Sequence, residues 1–488
     1  MTDEANTVRE AGTVPLSQKV AFGVGMLANQ LFPAALGVFM VVLVQGLGFS
    51  PLMWGILFFL PRLSDALTDP VMGFVTDNTR SRWGRRRPYV LIGAIIAGLA
   101  YIFMWQLYPE SGVTFNFWYF LGFAFVFYLG LTIFATPYVA MGYEMSTDFH
   151  ERTRLMAVSQ WIGQLAWVIV PWFWVILYNP EVYEDPAEGV RNLSIWVGLG
   201  CMALAIVPAV FCRTQPVDPG TLDDLSAKNL RNNVGSLARG FGQTLALRPF
   251  RQICIATFLV FNAFQTVAGL SWFIIVHYMN GGDAGPEGAA WWPSWFGTAS
   301  ALTTCFLVIP IVTLMSRRLG KRNAFIVSQA ISILGYVGFW WGFDPANPYL
   351  MFLPLPLFAF GIGGLFTIMM SMTADICDLD ELNTGERREG VFGAVYWWMV
   401  KFGFAIAGLG GGLILDAVGF GDNGGEPNLT LLRLAYIAVP VIGTLVAIAV
   451  MWTYDLDEQR ASEIRRELAD RRGETVGTPE SEVALPAG

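Results

Sequence analysis

Three charged residues stand inside an apolar run that opens near Leu52: Arg62, Asp65 and Asp69. Asp65 and Asp69 are four apart, so on a helix they stack on one face, and Arg62, three before Asp65, lies on the same side. Two converging carboxylates make an oxygen-rich site for a small hard cation or a proton. The plainer alternative is a structural ion pair between helices, but a single arginine leaves one of the two acids without a local partner. Charges are costly in hydrocarbon, so these should face a protein-lined or watery interior. Lys401 stands alone in another long apolar run, about three turns from its start. Its plainer fate is to snorkel to the membrane interface. Trp397, four residues earlier, shares its face and can stack on a flat ring or pack against another apolar body. The four charges sum to zero.

The elements that must position these residues are membrane helices. Hydrophobic residues make up 54% of the chain and charged residues 14%, with a net charge of −8. Apolar runs long enough to span a bilayer recur at roughly 18–46, 51–77, 88–108, 116–142, 154–178, 192–212, 250–279, 291–315, 324–343, 348–376, 390–418 and 431–454. The sequence therefore predicts an all-α membrane protein of twelve transmembrane helices. Met1 to Ser17 is polar and carries acids, which is not the pattern of a signal peptide. The five cysteines are scattered, with no metal-ligand spacing and no disulfide framework, and His150 and His277 are isolated. No phosphate-cradling loop is present, which argues against ATP drive, and no nucleophile–base set argues for an enzyme. No cofactor and no nucleic-acid partner is implied.

Charge sorts the loops. Loop 78–87 holds five arginines, loop 316–323 holds Arg317, Arg318, Lys321 and Arg322, and the tail is again basic. The alternate loops are nearly free of Lys and Arg and carry acids such as Glu181, Glu184, Asp185, Asp283 and Glu287. By the positive-inside rule both termini are cytoplasmic. A polar, basic loop at 213–249 divides an N-terminal six-helix half, 18–212, from a C-terminal one, 250–454, between the N-terminal segment 1–17 and the tail 455–488. Residues 227–247 within that loop suit a short amphipathic surface helix. The halves echo each other: Arg82-Trp-Gly84-Arg85-Arg86 follows the second span and Arg318-Leu-Gly320-Lys321-Arg322 the eighth, the glycines 236 residues apart. Such parallel repeats imply a transporter with its site at the midplane between halves. At the same offset Arg62, Asp65 and Asp69 become Thr298, Ala301 and Cys305. The acids occur once, which favours a single coupling site over a generic packing role.

Asp69-Pro70-x-x-Gly73, followed by Thr79-Arg80-Ser81-Arg82-Trp83-Gly84, resembles the glycoside–pentoside–hexuronide:cation symporters, a branch of the major facilitator superfamily that includes the melibiose permease. Pro137-Tyr138 with Glu144, Asp148, Glu151-Arg152 and Arg154 is a second match. Ala374-Asp375-Ile376-Cys377-Asp378, then Gly385, Arg387, Glu389-Gly390 and Lys401-x-Gly403, is a third. The resemblance covers both halves. It implies the major facilitator fold and symport of a sugar or glycoside with Na+ or H+. It implies a cation site at Asp65, Thr68, Asp69 and Thr132, with Asp65 and Asp69 as metal ligands if the ion is sodium, and with Lys401 facing that site.

The pattern also departs from its best-known member, which has asparagine at the position of Thr68, a lysine and an aspartate at Asn29 and Gln30, an aspartate at Ala135 and an arginine at Gln160. A galactoside held between carboxylates is therefore not expected here. Asn29, Gln30 and Gln160 can still bond hydroxyls or a carboxylate, alongside Arg62, Tyr138, Trp397 and Lys401 as solute contacts. Two acidic-basic clusters in equivalent places read as a gate: Glu144, Asp148, Glu151 and Arg152 after the fourth span, and Asp375, Asp378, Glu381, Arg387 and Arg388 after the tenth. Asp375 and Asp378 are expected to meet arginines only through loop folding or across the halves.

These readings converge on a monomeric secondary transporter of the inner membrane, with a small polar solute, a coupling cation and membrane lipid as its partners. The abundance of aromatic residues leaves a lysophospholipid or other amphiphile as the alternative solute. A non-transporting sensor would need an output module, and the tail after Asp455, about 34 residues, is too short for one. The orientation is testable: single cysteines in loop 179–191 are expected to react with an impermeant reagent from outside the cell. Labelling from the cytoplasmic side alone would overturn the topology.

Overall fold

A computed structural model describes residues 13–146, 149–213, 225–282, 290–385, 388–420 and 426–472. Asp283 and Glu287 of the acidic loops lie outside these residues, as do Asp148 and Arg387 of the expected gate. The first half contains α1 (Leu16–Gln45), α2 (Pro51–Asp77), α3 (Arg87–Met104), α4 (Val113–Glu144), α5 (Phe149–Ile169) and α6 (Pro186–Phe211). The connecting helix α7 (Ala227–Ala246) leads into α8 (Arg248–Phe273), α9 (Trp291–Thr303), α10 (Lys321–Gly342), α11 (Leu355–Thr384), α12 (Glu389–Val418) and α13 (Leu429–Trp452). A last helix, α14 (Glu458–Arg472), follows.

Eleven helical spans among the described residues, α9 counted with its continuation to Leu319, are apolar and long enough to cross a membrane. α2, 27 residues, is also long enough, and Arg62, Asp65 and Asp69 are what set it apart. Local signals start the helices: Pro51 and Pro186 occupy first turns, and Ser50 and Asp185 accept hydrogen bonds from Met53 and Glu188 backbone N–H groups. The two echoed glycines have φ of +85° (Gly84) and +76° (Gly320), a left-handed turn that L side chains rarely adopt. The arginines beside them serve the same end in each half. Arg87 donates to the carbonyls of Ala209 (2.6 Å) and Val210 (2.8 Å) at the end of α6, and Arg322 to Trp452 at the end of α13.

The hydrophobic cores are divided unevenly. One large cluster draws on both halves, from Phe32, Trp54 and Trp174 to Trp272, Phe273 and Tyr436. It lies at the end remote from the basic loops. Two smaller clusters, one of residues 14–212 and one of residues 250–468, lie toward the basic-loop end and do not join. The halves are therefore shut against each other at one end, and no described buried cluster links them at the other.

Glycine makes the shut end possible. At Gly412 an added Cβ would lie 2.5 Å from the Pro51 carbonyl oxygen, and at Gly408 it would lie 2.5 Å from Phe58 Cβ. On the other flank, Ser294 donates to the Pro171 carbonyl (2.6 Å) and Thr298 to that of Val168 (3.1 Å), while Trp172 packs edge-on against Trp295. Gly412→Trp is expected to prop this end open. Spin labels at Glu181→Cys and Ala346→Cys should then report a longer mean distance than in the parent protein. An unchanged distance distribution would show that the glycine contact does not govern closure.

Candidate functional site

The site is a meeting of three helices. α2 supplies Arg62, Asp65 and Asp69. α4 supplies Tyr128, Thr132 and Thr136, spaced by four and so on one face. The two rows pair rung by rung. Arg62 Nε donates to the Tyr128 hydroxyl (2.7 Å), Thr132 donates to Asp65 Oδ1, and Thr136 donates to Asp69 Oδ1 (3.3 Å). α12, from the other half, closes the site with Lys401. Its Nζ lies 2.8 Å from Asp65 Oδ2 and also bonds Asp69 Oδ2. Asp65 is almost fully buried, with 9% of its side chain exposed, whereas Asp69 (31%) and Lys401 (35%) remain accessible. Asp69 lies nearer the basic-loop end of α2, the end at which the halves part.

Thr68 sits beside this group, but its hydroxyl donates to the Asp65 backbone carbonyl (3.1 Å) and lies 3.3 Å from Thr132 Oγ1. Thr136 is the residue that sequence reasoning missed, and the spacing of Tyr128, Thr132 and Thr136 was its signal. Arg62 departs from expectation. It pairs with neither aspartate: its guanidinium lies 3.9 Å over the Phe404 ring and 4.8 Å from that of Phe58. Phe404 is on α12, so Arg62, like the aspartates, is held across the two halves.

The expected solute contacts divide. Tyr138 is wholly buried, stacked on Phe22 (4.6 Å between centroids), and donates to the Phe22 carbonyl. It fills the first half's core and is not open to a solute, which corrects the expectation drawn from its place after Pro137. Trp397 is 48% exposed and stacks on Phe366, and Gln160 is exposed. Asn29 and Gln30 are half-buried on α1, where Gln30 accepts a hydrogen bond from Trp167 Nε1 (3.3 Å).

Glu144, Arg152, Asp375 and Arg388 of the acidic-basic clusters each have a partner within their own half. Glu144 pairs with Arg85 and, at 3.1 Å, with Arg86. Asp375 pairs with Lys321 at 2.6 Å. The expectation that Asp375 must reach an arginine by loop folding or across the halves is thus corrected. Its partner is the lysine of the echoed loop, set beside it by the Gly320 turn. Arg152 donates to the Ser146 carbonyl (3.2 Å), and Arg388 grips Asp380 with two nitrogens, at 2.6 and 2.8 Å.

The chain matches the family described as MFS/sugar transport protein over residues 21–458. It is 25% identical to a glucuronide carrier protein homolog of Escherichia coli over 93% of this chain and 95% of that one. It is 23% identical to an isoprimeverose transporter of Lactiplantibacillus pentosus, over 91% and 90%. In fold it is similar to the nucleoside transporter NupG (TM-score 0.64, 13% identity, covering 90% of this chain and 100% of that one). A bacterial homologue of the human lysosomal transporter Spinster, solved inward-facing and unoccupied, is similar too (TM-score 0.61, 14% identity, 93% and 98%). The fold and the site define a multi-pass membrane transporter of the major facilitator type. The chain belongs to the MFS/sugar transport protein family.

Glu151, in the first turn of α5, ties down the start of the chain. It accepts from Lys19 (2.6 Å) and from the Val14 backbone N–H (3.0 Å). The Lys19 hydrogen bond, then the one from Val14, holds its carboxyl below the usual carboxylate range. A depressed folded pKa gives stability that is present above the unfolded value and lost as pH falls through the folded one. Glu151→Gln is therefore expected to melt below the parent near neutral pH, with the difference closing as pH falls past about 4. A gap that is constant with pH, measured by thermal unfolding in detergent, would show that the charge is not what matters.

Proposed function

We propose that this chain is a cation-coupled symporter that moves a small polar solute, a sugar or glycoside, by alternating access. The observation that carries this is the position of Lys401: an ammonium from one half held between two carboxylates from the other. A lysine shared between two carboxylates is a built-in substitute for an exchangeable cation. An arriving cation competes with Lys401 for Asp65 and Asp69, and displacing it loosens α12 from α2. Ion binding and the relation of the two halves are then linked, and a solute that touches both halves shares in that linkage, at about 1–3 kcal/mol. The named sugar and glycoside transporters among its relatives support a solute of that class.

Loop charge supports an inner-membrane protein with both termini cytoplasmic. In that orientation the shut end faces outside and the present conformation opens to the cytoplasm. Asn29, Gln30 and Gln160 of the first half, with Trp397 of the second, are the solute contacts in this reading. Glu144, Arg152, Asp375 and Asp378 are the gate. They exchange some of their partners within a half for partners across the halves when the cytoplasmic side closes.

Asp69→Asn changes charge with little change of shape. It is expected to keep solute binding but lose its dependence on the cation, and to stop accumulation against a gradient. Asp65→Asn should do the same. Normal accumulation of labelled solute by both variants, driven by a sodium or a proton gradient, would make the aspartates structural and defeat the proposal.

A further inference from the structure

The basic turn of the second half meets the last helix around a cavity of about 450 Å³. Arg318, Lys321 and Arg322 line it from the turn into α10, and Arg465 lines it from α14. Asp375, Asp457 and Glu458 line it too, so four cations face three acids and one positive charge is left over. The acids do not use up the cations. Asp375 is taken by Lys321 (2.6 Å), and Asp457 caps α14 by accepting from the Arg460 backbone N–H (2.8 Å). Arg322 spends one nitrogen on the Trp452 carbonyl, and its buried Nε has no hydrogen-bond partner among the described residues. Arg318 and Arg465 are exposed and form no ion pair among the described residues. In the first half, by contrast, Glu144 takes both Arg85 and Arg86.

The backbone adds to the positive charge. α10 and α14 both begin at this cavity, and the start of α10 has no side-chain cap and no acid in its first turn. Unpaired N–H groups at a helix start attract anions. A guanidinium presents paired donors that match the oxygens of a phosphate. The wall that carries Arg465 is firmly seated: Ile464 and Leu468, on either side of it, are buried in the second half's core.

We propose that this cavity binds a phosphodiester carrying one negative charge, either free or as the headgroup of a phospholipid. Arg318 and Arg465 are its principal partners. In the orientation given above the cavity is cytoplasmic, the side on which basic pockets between helices take anionic headgroups. Lys321 lines the same cavity, so a bound phosphate competes with Asp375 for it and bears on the charges read above as the gate.

The test needs neither solute nor transport, so its outcome is separate from the symport reading. The purified full-length chain in a neutral detergent is titrated at fixed pH and ionic strength with dihexanoyl phosphatidylglycerol. Parallel titrations use glycerophosphoglycerol, the same headgroup without acyl chains, and dihexanoyl phosphatidylcholine, whose choline cancels the charge. Melting temperature is the readout, because a ligand bound only by the folded state raises it. Phosphatidylglycerol should raise it and phosphatidylcholine should not. Glycerophosphoglycerol acting at similar concentrations identifies a free ester as the ligand, and a need for the acyl chains identifies a membrane lipid. Arg318→Gln and Arg465→Gln should each raise the midpoint roughly fivefold, and the double variant about twenty-five-fold, the scale of one basic residue near a lipid surface. Arg466→Gln, an exposed neighbour that does not line the cavity, removes the same charge and should titrate like the wild type. Asp375→Asn should lower the midpoint by releasing Lys321, and a midpoint it leaves unmoved overturns the competition. Equal stabilisation by phosphatidylcholine, an equal loss in Arg466→Gln, or an unchanged midpoint in the double variant overturns the site.

Discussion

The structure turns on keeping four charges neutral inside a membrane. A lone charge at the centre of a spanning helix costs about 2.5–3.5 kcal/mol on insertion scales. α2 carries Arg62, Asp65 and Asp69, a net charge of −1, and Lys401 on the other half supplies the missing +1, so neutrality is reached only when α2 and α12 are together. Arg62 touches neither aspartate; its guanidinium is held by the faces of Phe58 and Phe404 and by the Tyr128 hydroxyl. It too looks across the interface. Separating the halves along this line thus exposes an uncompensated charge to hydrocarbon, unless water or an ion takes the partner's place. That constraint makes the site and the moving interface one object.

The rest of the fold serves that interface unequally. The repeated loops do the same structural work in both halves: a glycine turn, a cation set against an acid near the end of the fourth helix, and an arginine closing the end of the sixth. The carboxylate pair occurs in the first half only. At the repeat position of Asp65 the second half has Ala301, and the helix there, after Thr303, passes into a wider turn over Thr304–Val308. The scaffold was kept twice and the chemistry once.

Much of this was legible in the sequence. Length and apolar runs give the helices, and the loop arginines give their alternation. The carboxylate pair shows itself by being anomalous in its surroundings. What was hidden is of four kinds. Thr136 is an ordinary residue type on a helix, and only the facing helix brings it to Asp69. Arg62 lies on the side of Asp65 by spacing, yet three residues on a helix fix a side and not a direction, and the guanidinium turns to the Phe404 ring of α12 instead. Tyr138 was placed near a solute by its neighbours in sequence, but packing between Phe22 and Phe134 decides its place, and packing is not written in spacing. The partner of Asp375, Lys321, lies 54 positions away and could be matched only once the turn at Gly320 was known.

The uneven cores have a thermal consequence. The large aromatic cluster is shared between halves only while one end is shut. Opening that end wets some of this apolar surface, and closing the other end dries a different patch. Wetting apolar surface raises heat capacity, by about 0.45 cal/K/mol for each Å². If the two patches differ in area, the conformations differ in heat capacity, and their balance bends with temperature instead of following a straight line. A membrane protein of this build then works evenly over a range of temperatures only to the extent that what one end hides, the other can hide in turn.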